Sequence, residues 1–284
     1  MQLWIWRHLR IELPDGWEML QFAREQGTGR CAFADRYQFR LELNWRAVES
    51  RPDLGRMMSD YLARLRTDET MPDAQATEAG GWPGIVGAQH GQLTSRFGTH
   101  LADEGCVVEV VFLWPGARDA GLEASVLASV AAEPVRDGLR RWRAFGMGLR
   151  VADGLSLSEC VVQPAVARMV FRSEDGVREA TYQRLGMVGE WLRGSVGEWL
   201  ARQSPRDVVR SSAGWETRGS HELALVSGTR RAGLLRRARR YEAAAWVCPA
   251  DGRLYAGSAT GLQGPAACLP GGRLTCCGEL EAAR

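Results

Sequence analysis

Leu13-Pro14-Asp15-Gly16-Trp17, a turn signal set between apolar residues, returns as Val151-Ala152-Asp153-Gly154-Leu155 about 138 residues later. At the same spacing Arg30 and Phe33 fall on Arg168 and Phe171. Leu54, Leu62, Ala63 and Arg64 likewise fall on Leu192, Leu200, Ala201 and Arg202. A turn, a strand aromatic and a helix face that recur together at one offset are the mark of an old internal duplication. The reading divides the 284 residues into a first module at 1–134, a second, divergent module at 142–257, and a Gly- and Cys-rich tail at 258–284.

Within the first module, Arg7–Leu13 alternates as a strand and runs into the Pro14-Asp15-Gly16 turn; Cys31–Phe33 is a second apolar run. In Tyr37–Trp45, Phe39, Leu41, Leu43 and Trp45 alternate with Gln38, Arg40, Glu42 and Asn44, the period of a half-buried antiparallel strand. Pro52-Asp53 opens a helix whose apolar face is Leu54, Met58, Tyr61, Leu62 and Leu65. A polar loop, Thr67–Gly81, precedes strands near Ile85–His90, Leu93–Phe97 and Cys106–Trp114. The apolar Val107–Trp114 run predicts a central strand, and Gly121–Ala132 predicts a closing helix. The second module restarts at Trp142, repeats the helix at Met187–Arg202, and departs from the first at Asp251-Gly252, which reads as a hairpin turn. The connections are too short for parallel crossovers. The predicted class is therefore α+β: two tandem repeats, each an antiparallel sheet packed with helices in an α/β/α-like sandwich.

Residues 8–133 resemble the PsbP-like fold, an α/β/α module named for the extrinsic subunit of photosystem II. The resemblance rests on the Leu13–Trp17 entry, the helix at 53–66, the Val107–Trp114 strand and the closing Val126-Leu127-Ala128-Ser129-Val130. It implies a non-catalytic binding or assembly module and brings no active-site residue with it.

Composition is that of an ordinary globular chain, 45% hydrophobic and 25% charged, and the net charge of +2 recommends neither nucleic acid nor an anionic membrane as a partner. Every basic residue is Arg and the single Asn is Asn44, the bias of a GC-rich genome. The eleven Trp fall mostly at periodic apolar positions, which makes them core or interface residues. Leu3–Trp6 is interrupted by Arg7 and Arg10, too soon for a signal peptide, and no stretch approaches the roughly 18–20 apolar residues of a membrane span. The expectation is a cytoplasmic protein without membrane insertion, its seven Cys reduced.

Two features stand out as chemistry, and both lie in the second module and tail. Cys248, Cys268, Cys276 and Cys277 offer soft ligands for a structural zinc. The spacing lacks a Cys-x-x-Cys pair, and adjacent Cys276 and Cys277 rarely hold one ion; a three-Cys site completed by another residue stays open beside reduced, partly buried thiols. Arg230, Arg231, Arg236, Arg237, Arg239 and Arg240 form the densest run of charge. It reads as a solvated hairpin edge or intramolecular ion pairs on one side, and a contact for an acidic partner, phosphate or nucleic acid on the other. His8, His90, His100 and His221 stand singly, outside any nucleophile signature, and no phosphate loop is present. The leading expectation is a non-enzymatic interaction, adaptor or assembly module of a bacterial complex, with a protein partner and no cofactor beyond the zinc alternative. The competing readings are a zinc-stabilised regulatory or nucleic-acid-binding protein and an unrecognised Cys-dependent enzyme using Cys248 or a His.

Overall fold

The computed structural model describes residues 1–230, 238–262 and 273–278. Strands hold 53% of the described residues and helices only 16%. The expected α+β class, an α/β/α-like sandwich of sheet and packed helices, is therefore corrected to a mostly β protein of antiparallel sheets. The reason is how little each helix buries. A helical layer needs a continuous apolar stripe against the sheet, whereas the helix at Leu54–Thr67 fully buries only Leu65 and the one at Val196–Gln203 only Trp199 and Leu200. Most of the apolar surface is covered by strands instead.

The chain forms two units, Met1–Glu133 and Pro134–Arg284. The first runs β1 (Gln2–Trp6), β2 (Leu9–Leu13), β3 (Glu18–Phe22), β4 (Thr28–Ala34), β5 (Phe39–Ala47), α1 (Leu54–Thr67), β6 (Gln75–Ala79), β7 (Trp82–Gln89), β8 (Gln92–Leu101), β9 (Cys106–Trp114), α2 (Ala120–Ser129) and β10 (Ala131–Ala132). Seven of these strands make one antiparallel sheet in the order β3-β4-β5-β9-β8-β7-β6, with the apolar β9 at its centre as its sequence requires. A short ladder of β1, β2 and β10 accompanies it. Asp53 caps α1, its side chain accepting from the Arg56 N–H at 3.0 Å, and Arg64 and Arg66 sit in the last turn against the helix dipole.

The second unit runs β11 (Leu139–Ala144), β12 (Met147–Ala152), β13 (Ser156–Gln163), β14 (Val166–Arg172), β15 (Glu179–Leu185), α3 (Val188–Trp191), α4 (Val196–Gln203), β16 (Val208–Arg218), β17 (His221–Arg230), β18 (Arg239–Val247), β19 (Leu254–Thr260) and β20 (Leu274–Thr275). Its seven-stranded sheet follows β13-β14-β15-β19-β18-β17-β16, the order of the first sheet strand for strand. The likeness extends to detail. The first register shift in β3 falls between Met19 and Gln21, and in β13 between Leu157 and Glu159, positions matched by the sequence offset. Trp4 meets Phe33 edge-on, ring centres 5.5 Å apart, and Trp142 meets Phe171 edge-on at 5.0 Å. The quoted turns close alike, through Trp17 N–H to Pro14 at 3.2 Å and Leu155 N–H to Ala152 at 2.9 Å.

The copies differ in a helix and in an edge strand. The single helix predicted at Met187–Arg202 is two pieces. Gly194 adopts φ +87, where L side chains are strained, and Ser195 with Glu198 then forms a capping box that starts α4 afresh. The outermost strand is short in one copy (β6, five residues) and long in the other (β16, eleven residues). No helix among the described residues is long and apolar enough to cross a membrane.

Candidate functional site

The most concentrated chemistry lies at one end of the second unit's sheet. β17 and β18 pair with Ala224 opposite Ala245, and extending that register three residues sets His221, the first residue of β17, opposite Cys248, which follows β18. A tight turn of Pro249-Ala250-Asp251-Gly252 follows, with Cys248 N–H to Arg253 at 2.9 Å and Gly252 N–H to Cys248 at 2.8 Å. β20 pairs along β12 through Leu274–Leu149 and Thr275–Gly148, and so delivers Cys276 and Cys277 to the same place. The His221 Nε2 lies 3.3 Å from the Cys276 Sγ and 3.5 Å from the Cys277 Sγ, and the two sulfurs are 3.8 Å apart. The donor atoms of His221, Cys248, Cys276 and Cys277 all fall within 4.8 Å of one another.

The surroundings are built to hold sulfur. His221 and Cys248 are fully buried and the Cys276–Cys277 pair half-buried. The Trp246 indole N–H donates to the Cys276 Sγ at 3.2 Å, and that ring stacks on Tyr255 at 6.1 Å, which in turn donates its hydroxyl to Asp251 at 2.8 Å. Burial raises the Cys248 thiol above its ordinary range, opposed by the backbone N–H groups of Ala250 and Asp251 and by Cys276. Burial also raises Cys276, opposed by Trp246.

Of the predicted ligands, the structure brings Cys248, Cys276 and Cys277 together, and Cys268 lies outside the described residues. Adjacency does not separate Cys276 from Cys277; both sulfurs face the cluster. The fourth member, His221, was not singled out by sequence because its partner is set by sheet register across 26 intervening residues, not by local spacing. Of the Arg run, Arg231, Arg236 and Arg237 lie outside the described residues. Arg230 pairs with Asp207 at 2.7 Å, Arg239 donates to the Val177 carbonyl at 2.9 Å, and Arg240 pairs with the buried Glu242. In the first unit, His8 and Cys106 meet at 3.8 Å, but burial and Glu104 push the thiol up to about 11, the reverse of an activated nucleophile.

A second feature is the β16 edge. The strand ends the sheet order, and nearly every residue from Val209 to Trp215 is exposed. Trp215 is 57% exposed; one side of its ring rests on Gly197 of α4, where any side chain would crowd it. Sequence reasoning passed over this strand because Ser211-Ser212-Ala213-Gly214 has no alternation. In the first unit, a hollow of about 360 Å³ opens beside α1, lined by Met57, Met58, Tyr61, Phe97 and Val107.

No protein-family model matches the sequence, and no curated protein matches it. A crystal structure from Bacteroides thetaiotaomicron is 16% identical with a TM-score of 0.29, covering 48% of this chain and 50% of that one, so the match spans half that chain's length. The immunity protein TplEi of the T6SS from Pseudomonas aeruginosa, complexed with "L" peptide, is 11% identical with a TM-score of 0.34, over 90% of this chain and 91% of that one. The Tle4-Tli4 complex matches at 10% identity and a TM-score of 0.35, over 88% and 87%. No assignment follows from likenesses this remote.

Proposed function

We propose that this protein acts by binding another polypeptide, which adds an extended strand to the β16 edge. The observation that carries the reading is an outermost strand of eleven residues, exposed along most of its length, with Trp215 left 57% in solvent. An unpaired strand edge is a template for another chain, and proteins that do not use such an edge keep it short or charged. The first unit does so, with the five-residue β6 at the equivalent place. In strand addition, main-chain hydrogen bonds supply affinity and alternate side chains supply choice of partner. Trp215 is the anchor, being of a residue type that concentrates binding energy.

The test is site-specific photocrosslinking in cells of the source organism, with the photoreactive residue at Trp215 and, as control, at Val162. The latter is 41% exposed in β13 at the other end of the same sheet order. The reading expects one protein crosslinked through an extended segment at 215, lost on Ala213→Pro and absent at 162. Equal crosslinking at both positions, or crosslinks at 215 only to a second copy of this chain, would overturn it.

A further inference from the structure

We infer that His221, Cys248, Cys276 and Cys277 form a zinc centre, one ion held by three thiolates and an imidazole. The assignment is independent of the β16 reading and rests on geometry. Zinc bound to sulfur at about 2.3 Å and nitrogen at about 2.0–2.1 Å in a tetrahedron sets its sulfurs about 3.8 Å apart and each sulfur about 3.5 Å from the nitrogen. Cys276 and Cys277 present their sulfurs 3.8 Å apart, and His221 Nε2 sits 3.3 and 3.5 Å from them. These are the edges of a coordination tetrahedron. Cys248 completes it from the opposite strand, all four donors lying within 4.8 Å.

The chemistry of the donors selects the ion. Three soft sulfurs and an imidazole suit zinc; calcium and magnesium require oxygen, and no carboxylate belongs to the set. Three thiolates and a neutral imidazole around a divalent cation carry one net negative charge, and N–H donors to sulfur disperse it. The Trp246 indole and the backbone N–H groups of Ala250 and Asp251 occupy those outer positions, on Cys276 and Cys248 respectively.

The fold shows what the ion does. β20 has only two residues on the β12 ladder, far too few to stay in place by pairing alone. Leu274 and Thr275 of this strand and the preceding Arg273 are nonetheless buried. An ion bridging Cys276 and Cys277 to His221 and Cys248 fastens this segment across the end of the β17–β18 pair. The four ligands come from three separate stretches of chain, so the ion closes long loops whose entropy would otherwise oppose the arrangement. This is a closed, structural centre, with all four positions filled by protein and none left for water or substrate.

The experiment uses the full chain, purified without a polyhistidine tag. Elemental analysis is expected to find one zinc per chain, and a chelator under mild denaturation to remove it. Refilling with cobalt(II) should give the intense visible bands of a tetrahedral site and charge-transfer absorption for three thiolates. Cys276→Ser and Cys277→Ser should each abolish stoichiometric zinc, while Cys160→Ser, outside the cluster, keeps it. Should the serine variants fail to fold, His221→Cys keeps the test open: it should retain one zinc and raise the cobalt charge-transfer intensity to that of four thiolates. Wild-type protein that folds with no zinc above trace, binds cobalt octahedrally, or carries stoichiometric iron instead would overturn the assignment. So would a cobalt spectrum unchanged by His221→Cys.

Discussion

Truncating Phe33 or Phe171 to alanine empties a slot that each sheet fills in the same way, against Trp4 in one unit and Trp142 in the other. Both rings are fully buried, so each truncation should cost about 3–5 kcal/mol, read as a fall in the urea midpoint with the slope unchanged. A residue whose effect is set by charge is Asp35, in the β4–β5 turn. Burial opposes its ionisation, yet the N–H groups of Tyr37 and Gln38, at 2.7 and 2.9 Å, and the Arg40 guanidinium, at 3.0 Å, hold the carboxyl below its usual range. Its stabilising effect is therefore present above the ordinary carboxylate pKa of about 4 and is lost as pH falls through the lower folded value. Asp35→Asn should destabilise the protein near neutral pH, and the difference from wild type should vanish in acid, measured by thermal melts across that range. At this scale the recurring core aromatic was legible, because buried side chains keep their identity through a duplication. His221 was not, because a ligand fixed by cross-strand register leaves no local spacing to read.

Among elements, α2 is tied down by one buried charge. Arg118 donates to Glu123 through Nε and Nη2 at 2.6–2.9 Å and reaches Thr77 of β6 at 3.2 Å. Glu123, fully buried, also accepts from Ser95 of β8, whose hydroxyl is held by the Trp114 indole of β9 at 2.9 Å. Removing the carboxylate leaves a guanidinium and a hydroxyl without their acceptor. Glu123→Leu should thus cost about 3–5 kcal/mol, and adding Arg118→Met should recover much of the loss, in a double-mutant cycle by urea unfolding. The central strands, such as β5 and β9, were readable from alternation or from an unbroken apolar run. The edge strands β6 and β16 were not: with no fully buried residue on either face, they carry no pattern for burial to impose. The helices misled in the other direction, since their apolar stripes are real but narrow, and weighing them as layers produced an α+β class that the burial of one to three residues per helix does not support. The break at Gly194 was visible in sequence as Gly-Ser-x-x-Glu only once the capping role of Ser195 was known.

For the molecule as a whole, the zinc centre should act on one unit only. Stripping the ion is expected to speed hydrogen exchange in β17, β18 and β20 while leaving β4, β5 and β9 unchanged. The lost binding linkage is about 4 kcal/mol where free zinc stands a thousandfold above its dissociation constant. Exchange that rose equally in both sheets, or in neither, would contradict this. The duplicated strand order has a consequence for how the chain finds its structure. Two sheets with one blueprint offer each strand two berths, and a β14 placed where β4 belongs would still find an aromatic pocket shaped for its Phe171. Chains with internal repeats are prone to such exchanges. A misplacement of β17, β18 or β12, however, would part His221 from Cys248 or carry off the ladder that seats the segment with Cys276 and Cys277. Coordination at that corner would thus act as a check on the placement of β12, β17, β18 and β20, and on no other strand.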